Sequence, residues 1–150
     1  VFDTAVVDLS DKLADPVAWQ RAFSCLSETN QVWVKRAPLL VLSLASKTLR
    51  HDKSPNRFAQ HDTGMASMAM VLEAVARGLM AHQMGGYDAT KIRTEFAIPE
   101  DYVCMAMIAI GYPGNPDILP ERLRERELRP RSRRPIGEWT FGGQWGTRMP

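Results

Sequence analysis

QHDTGMASMAMVLEAVARGLMAHQMGG, residues 60–86, contains the longest stretch of this chain that is poor in polar side chains. Leu72, Val75 and Leu79 mark one face of a helix, while Met65, Met68, Met70 and Val71 fill others. Ala66, Ala69, Ala74 and Ala76 keep it slim. A helix that is apolar nearly all round has to be covered on nearly every side. In a chain of 150 residues a second copy is the simplest source of that cover, so the pattern predicts a long central helix and a homodimer. The run closes on Gly85–Gly86. A single glycine is ordinary punctuation after a helix, because it accepts the left-handed conformation that ends many of them. The second needs another reason, such as a bare backbone lying close to another surface.

Working outward, LLVLSLAS (39–46) and VCMAMIAIGYPGNP (103–116) are apolar runs bounded by proline, glycine and polar residues. They predict two strands buried on both faces, joined to the long helix by the polar loop SKTLRHDKSPNR. DPVAWQRAFSCL (15–26) predicts a helix with Asp15 as its cap and Pro16 at its first position. A short second helix precedes Pro38, a third follows Asp88, and PERLRERELRP (120–130) gives one or two charged helical turns. The fold class is α+β: a single domain over 1–150, or part of one, whose central strands are packed by helices.

Hydrophobic residues make up 45% of the chain and charged residues 24%, enough for a core and too little charge for global disorder. No run approaches the ~18 apolar residues of a membrane span, and VFDTAVVDLSDKL has no basic stretch leading into an apolar block. Cys25 and Cys104 lie far apart in apolar contexts, as reduced and buried thiols do, which points to the cytoplasm. Residues 118–150 hold eight Arg and four Glu, a balance of +4, so with a net charge of +2 the remainder sums to −2. The positive field belongs to the tail.

His51, His61 and His82 lack metal-ligand spacing, and no nucleophile elbow, Walker loop or dinucleotide fingerprint occurs. No catalytic side chain is assigned. Arg131 and Arg133 flank Ser132, so in an extended segment both point to one side and form a fork for phosphate or carboxylate. A nucleic-acid surface would want a longer basic face with interleaved aromatics. Trp139 and Trp145 meet that only loosely.

The order of these motifs resembles the nitroreductase family of FMN-dependent oxidoreductases over roughly residues 15–146. The segment 15–45 resembles the family's helix, its asparagine–tryptophan segment and the Ala-Pro leading into a core strand. HDTGMASMAMVLEAVARGLMAHQMGGYD is similar to its D-x-G-x-A helix and Gly-Gly-aromatic-Asp turn; IPEDYVCMAMIAIGYPG to its strand ending I-G-Y-P; RPRSRRPIGEWTFGGQWG to its basic tail with R-x-R-x-P and a terminal W-G. The resemblance implies a central mixed or antiparallel sheet flanked by helices, and an extended C-terminal arm over 136–150. It implies FMN held by Met84, Gly85 and Gly86 at the ring and by Arg131 and Arg133 at the phosphate. It also implies NAD(P)H as co-substrate, a small nitroaromatic, quinone or enone acceptor, and a homodimer with the FMN site near the subunit interface. Neither nucleic acid nor membrane is a partner in that reading. The family's upstream Arg-Ser-Arg site and Pro-Ser-x-x-Asn-x-Gln-Pro-Trp segment are not among these residues. The alternative is therefore a truncated, inactive flavin-binding or scaffold remnant.

Overall fold

The protein's computed structural model describes residues 4–148, with side chains from Asp11 onward. The chain separates into two compact units, the first running to Pro113 and the second starting at Gly114.

The first unit is built on a four-stranded antiparallel sheet in the order β1-β2-β4-β3, from β1 (Thr4–Asp11), β2 (Leu39–Ser46), β3 (Met80–Met84) and β4 (Tyr102–Gly111). The two apolar runs are its central strands, as their lack of alternation predicts. Successive side chains of β2 serve opposite faces. Leu40, Leu42 and Leu44 join Met107 and Ala109 of β4 in one core cluster, whereas Val41 joins Ile108 and Ile110 in another. Complete burial of Leu40, Leu42 and Ile108 contributes roughly 1.5–3 kcal/mol for each side chain.

Three helices cover the first face: α1 (Pro16–Ser24), α2 (Glu28–Val34) and α4 (Ala89–Glu95). Asp15 caps α1 by accepting the Ala18 N–H at 2.9 Å. Asp88 caps α4 by accepting from Thr90 and Lys91 at 3.0 and 2.8 Å. Both caps were legible from their Asp-led starts. Trp19 of α1 is buried, stacks on Phe23 and donates its indole N–H to the Ala37 carbonyl.

The second face is covered by α3 (Ala59–Ala76), the expected long central helix, but it is shorter than the sequence pattern predicts. It stops at Ala76, where Gly78 takes φ +77°. The Leu79 N–H reaches back to the Ala74 carbonyl and the Gly78 N–H to that of Val75. These two bonds close the helix with a Schellman motif, the usual work of a glycine one residue past the end. The next element is the edge strand β3, not a further turn of helix. Gly78 is the helix punctuation that the sequence pattern assigns to Gly85, and the glycine pair terminates a strand.

In the second unit a 3-10 turn (Pro116–Ile118) leads into α5 (Glu121–Leu128), then a second 3-10 turn (Ile136–Glu138). An isolated antiparallel bridge pairs Phe141 with Arg148, and the Phe141 and Trp145 rings meet at 4.8 Å. Among the described residues no helix is long and apolar enough to cross a membrane, and no three His, Cys, Asp or Glu side chains are grouped to hold a metal ion.

Candidate functional site

The glycine pair leaves β3 and is immediately stitched to the connection between α1 and α2. Leu26 and Tyr87 form an isolated antiparallel bridge. On either side of it the Ser27 N–H donates to the Gly86 carbonyl at 2.9 Å, and the Asp88 N–H to the Cys25 carbonyl at 2.8 Å. The Asn30 side-chain amide donates to the same Gly86 carbonyl at 2.9 Å. One turn along α2, Trp33 packs edge-on against the His82 ring, with centroids 5.1 Å apart. One face of α2, spaced i and i+3, therefore runs along the edge strand and fixes the turn at its end.

The two glycines differ in what surrounds them. A Cβ on Gly86 would lie 2.7 Å from Asn30 Nδ2 and 2.9 Å from Ser27 Oγ. A side chain there would displace the Asn30 amide and the Ser27 hydroxyl at the start of α2. Among the described residues nothing lies within 4 Å of the position a Cβ would take on Gly85. Both residues are exposed, and neither N–H donates to another described residue. The turn offers two backbone donors on an uncovered peptide edge, a surface that admits a flat ring carrying acceptor atoms. Met84, by contrast, is 4% exposed and belongs to the core, so its backbone alone is available to a ligand.

Burial shifts one tyrosine beside the turn and two cysteines. Tyr87 is pushed up to about 12, chiefly because its phenolate would lose water, with Cys104 adding a smaller repulsion. Burial likewise raises the thiols of Cys25 and Cys104, each a free cysteine. These thiols are poor nucleophiles near neutrality.

Arg131 and Arg133 belong to the second unit, in the segment between α5 and the second 3-10 turn, and both are exposed. Among the described residues neither has a carboxylate partner; Arg133 Nη1 donates to the Ser132 carbonyl. Arg129 and Arg134 are also exposed, and among the described residues neither pairs with an acid. Guanidinium groups left open in this way suit a phosphate, whose oxygens take paired N–H donors.

Sequence reasoning singled out the glycines and arginines as candidates and noted the asparagine–tryptophan segment, but it did not pair Ser27 and Asn30 with the turn or Trp33 with His82. A usable signal was present in the Asn-x-x-Trp spacing, which places both side chains on one helical face.

Comparison with known proteins adds to this geometry. Residues 8–112 match the model of the nitroreductase family. The chain is similar to the solved structure of an oxidoreductase containing FMN, with 28% identity and a TM-score of 0.82 over 97% of this chain and 72% of that one. It also resembles a nitroreductase family protein from Clostridium difficile 630, at 19% identity and a TM-score of 0.57 over 94% of this chain and 73% of the other, a likeness of fold. A curated relative, the uncharacterized 15.4 kDa protein in the ask 5' region of Mycolicibacterium smegmatis, is 36% identical over 95 residues. That match takes in 63% of this chain, which spans 64% of the relative's length.

Proposed function

The chain belongs to the nitroreductase family, and from that premise we propose that it is an FMN-dependent oxidoreductase passing hydride from NAD(P)H to a small nitroaromatic, quinone or enone. The observation that carries the reading is the uncovered Gly85–Gly86 edge, with two unengaged backbone donors and no side chain over Gly85.

FMN bound at such a site would supply the hydride-transfer redox chemistry. The protein's part is to bind and orient. The N–H groups of Gly85 and Gly86 would hold the acceptor edge of the ring, and donors aimed where negative charge develops favour the reduced form. The Met84 side chain braces the turn from the core. The phosphate would fall to Arg131 and Arg133 of the second unit, whose guanidinium groups suit its oxygens. No side chain is assigned as a general acid, because solvent supplies protons to an exposed turn.

The same reading places the site near the interface of a homodimer. The buried face of α3 is a stripe of small and polar residues, Ala59, Thr63, Ser67 and Ala74. At about 100° per residue, Met65, Met68, Leu72 and Val75 fall on the other side, and these are 47–59% exposed. An apolar stripe of that kind on a monomer's surface calls for a partner, and a second copy of this chain fits it.

The test is an anaerobic absorbance spectrum of the chain mixed with FMN, before and after NADPH or NADH. Flavin bands that stay with the protein on gel filtration and bleach on reduction support the reading. Flavin that elutes free, or bound flavin that neither nucleotide bleaches, refutes it.

A further inference from the structure

We propose that Asn30 is a positioning residue that sets the direction of the Gly86 N–H, and through it the fit of the turn to its ligand. The proposal rests on the FMN reading for the ligand, and on hydrogen bonds within the chain for the geometry.

The Gly86 carbonyl is held from two sides, by the Ser27 N–H and by Asn30 Nδ2, each at 2.9 Å. No peptide bond among the described residues is cis. In a trans peptide the C=O and N–H point in opposite directions, so fixing the Gly86 carbonyl fixes the Tyr87 N–H. That N–H donates to the Gly85 carbonyl at 3.1 Å. The Gly85–Gly86 peptide is thereby oriented in turn, and its N–H, which belongs to Gly86, points away from Tyr87. Two planar peptides relay the position of one side chain to the donor at the open edge. A donor held before the ligand arrives costs no ordering on binding.

Gly86 is part of the same device. Its φ lies outside the left-handed region, so alanine is allowed there by the backbone. An alanine Cβ would nevertheless occupy the space that Asn30 Nδ2 now fills, 2.7 Å away. The glycine leaves room for the asparagine to reach the carbonyl.

The experiment uses the full chain labelled with nitrogen-15, with and without FMN. In Asn30→Ala the Gly86 and Tyr87 amide resonances should move without FMN present, and Tyr87 amide exchange should quicken about fivefold, the loss of one neutral hydrogen bond. The FMN dissociation constant should rise by a similar factor. Asn30→Asp keeps the shape, lacks the donor, and places an acid in the first turn of α2, where it favours the helix. It should weaken FMN at least as much as Asn30→Ala does while keeping the helix content of wild type. Gly86→Ala should reproduce these losses, and the double variant with Asn30→Ala should add little to them.

Unmoved Gly86 and Tyr87 resonances in Asn30→Ala overturn the relay, whatever FMN does. Moved resonances with unchanged FMN affinity overturn its role toward the ligand, and so does full additivity of the two substitutions. A wild-type chain that binds no FMN refutes the flavin reading and this ligand role together, while the amide shifts still decide whether Asn30 sets the turn.

Discussion

The Ser43 hydroxyl plugs a break in the central strand pair: it donates to the Ala106 carbonyl at 3.1 Å and accepts the Ala106 N–H at 3.2 Å. The register between β2 and β4 slips at this point, with Ser43 opposite Ala106 and Leu44 opposite Cys104, so that Met105 is the extra residue of a bulge. Ser43 is 1% exposed, so water cannot replace it.

Ser43→Ala should therefore leave two interior backbone groups unsatisfied and destabilise the protein by roughly 1–3 kcal/mol. Urea unfolding monitored by tryptophan fluorescence checks this. A midpoint within error of wild type would show that the bulge relaxes to bond with itself.

Glycine positions separate structural from ligand-facing roles. A Cβ on Gly111 would sit 2.7 Å from Cδ of Pro38, a rigid ring at the start of β2. Gly111→Ala should destabilise by roughly 1–3 kcal/mol through overpacking. Gly85→Ala meets open space and should change stability by less than about 0.5 kcal/mol, yet weaken FMN at the proposed ring contact. Paired melting curves and flavin titrations check both. Undiminished FMN affinity in Gly85→Ala would remove the contact.

How much of the fold is legible in the sequence depends on how local each signal is. β2 and β4 show themselves because strands buried on both faces are continuous apolar runs. α1 and α4 show themselves through Asp15 and Asp88, whose side chains act within three residues. β1 is hidden because TAVVDLSD mixes apolar and polar residues without clear alternation, and its pairing partner is distant in the chain. β3 reads as part of the preceding helix because MAHQM contains no β-branched residue. It is a strand only because β4 offers it a ladder. For the same reason the glycine pair is legible as unusual, but Asn30, 56 positions away in sequence, is not legible as its partner.

Phosphate recognition by Arg131 and Arg133, as proposed, has its own test. Arg131→Ala combined with Arg133→Ala should weaken FMN at least tenfold more than riboflavin, which lacks the phosphate, since a charge-assisted pair contributes about 1.5–3 kcal/mol. Fluorescence titration with both ligands, at low and moderate salt, measures it. Equal losses for the two would mean that the arginines do not read phosphate.

The outward stripe of α3 should hold two copies together. Met68→Glu with Leu72→Glu places charge where apolar contact is expected and should convert a dimer to a monomer in sedimentation equilibrium, with the helix content kept. A wild-type chain that is monomeric at micromolar concentration would remove the proposed interface.

Alkaline pH offers a test of the packing beneath the turn. The Tyr87 hydroxyl, ordinarily at 10.0, is pushed up to about 12 because burial disfavours its phenolate. The folded state then keeps a proton that the unfolded chain releases. Its stabilising effect is complete below pH 10 and drains away as pH climbs toward about 12. The slope is at most about 1.4 kcal/mol for each pH unit, a ceiling because the ring is only half-buried. Cys25 and Cys104, raised by the same cause, begin a loss of the same sign at lower pH. Tyr87→Phe should keep the cysteine contribution and flatten the decline above pH 10. Urea unfolding of both proteins at about pH 9.5 and 11.5 separates the two effects, and parallel declines would show that Tyr87 is not held in its neutral form by the fold.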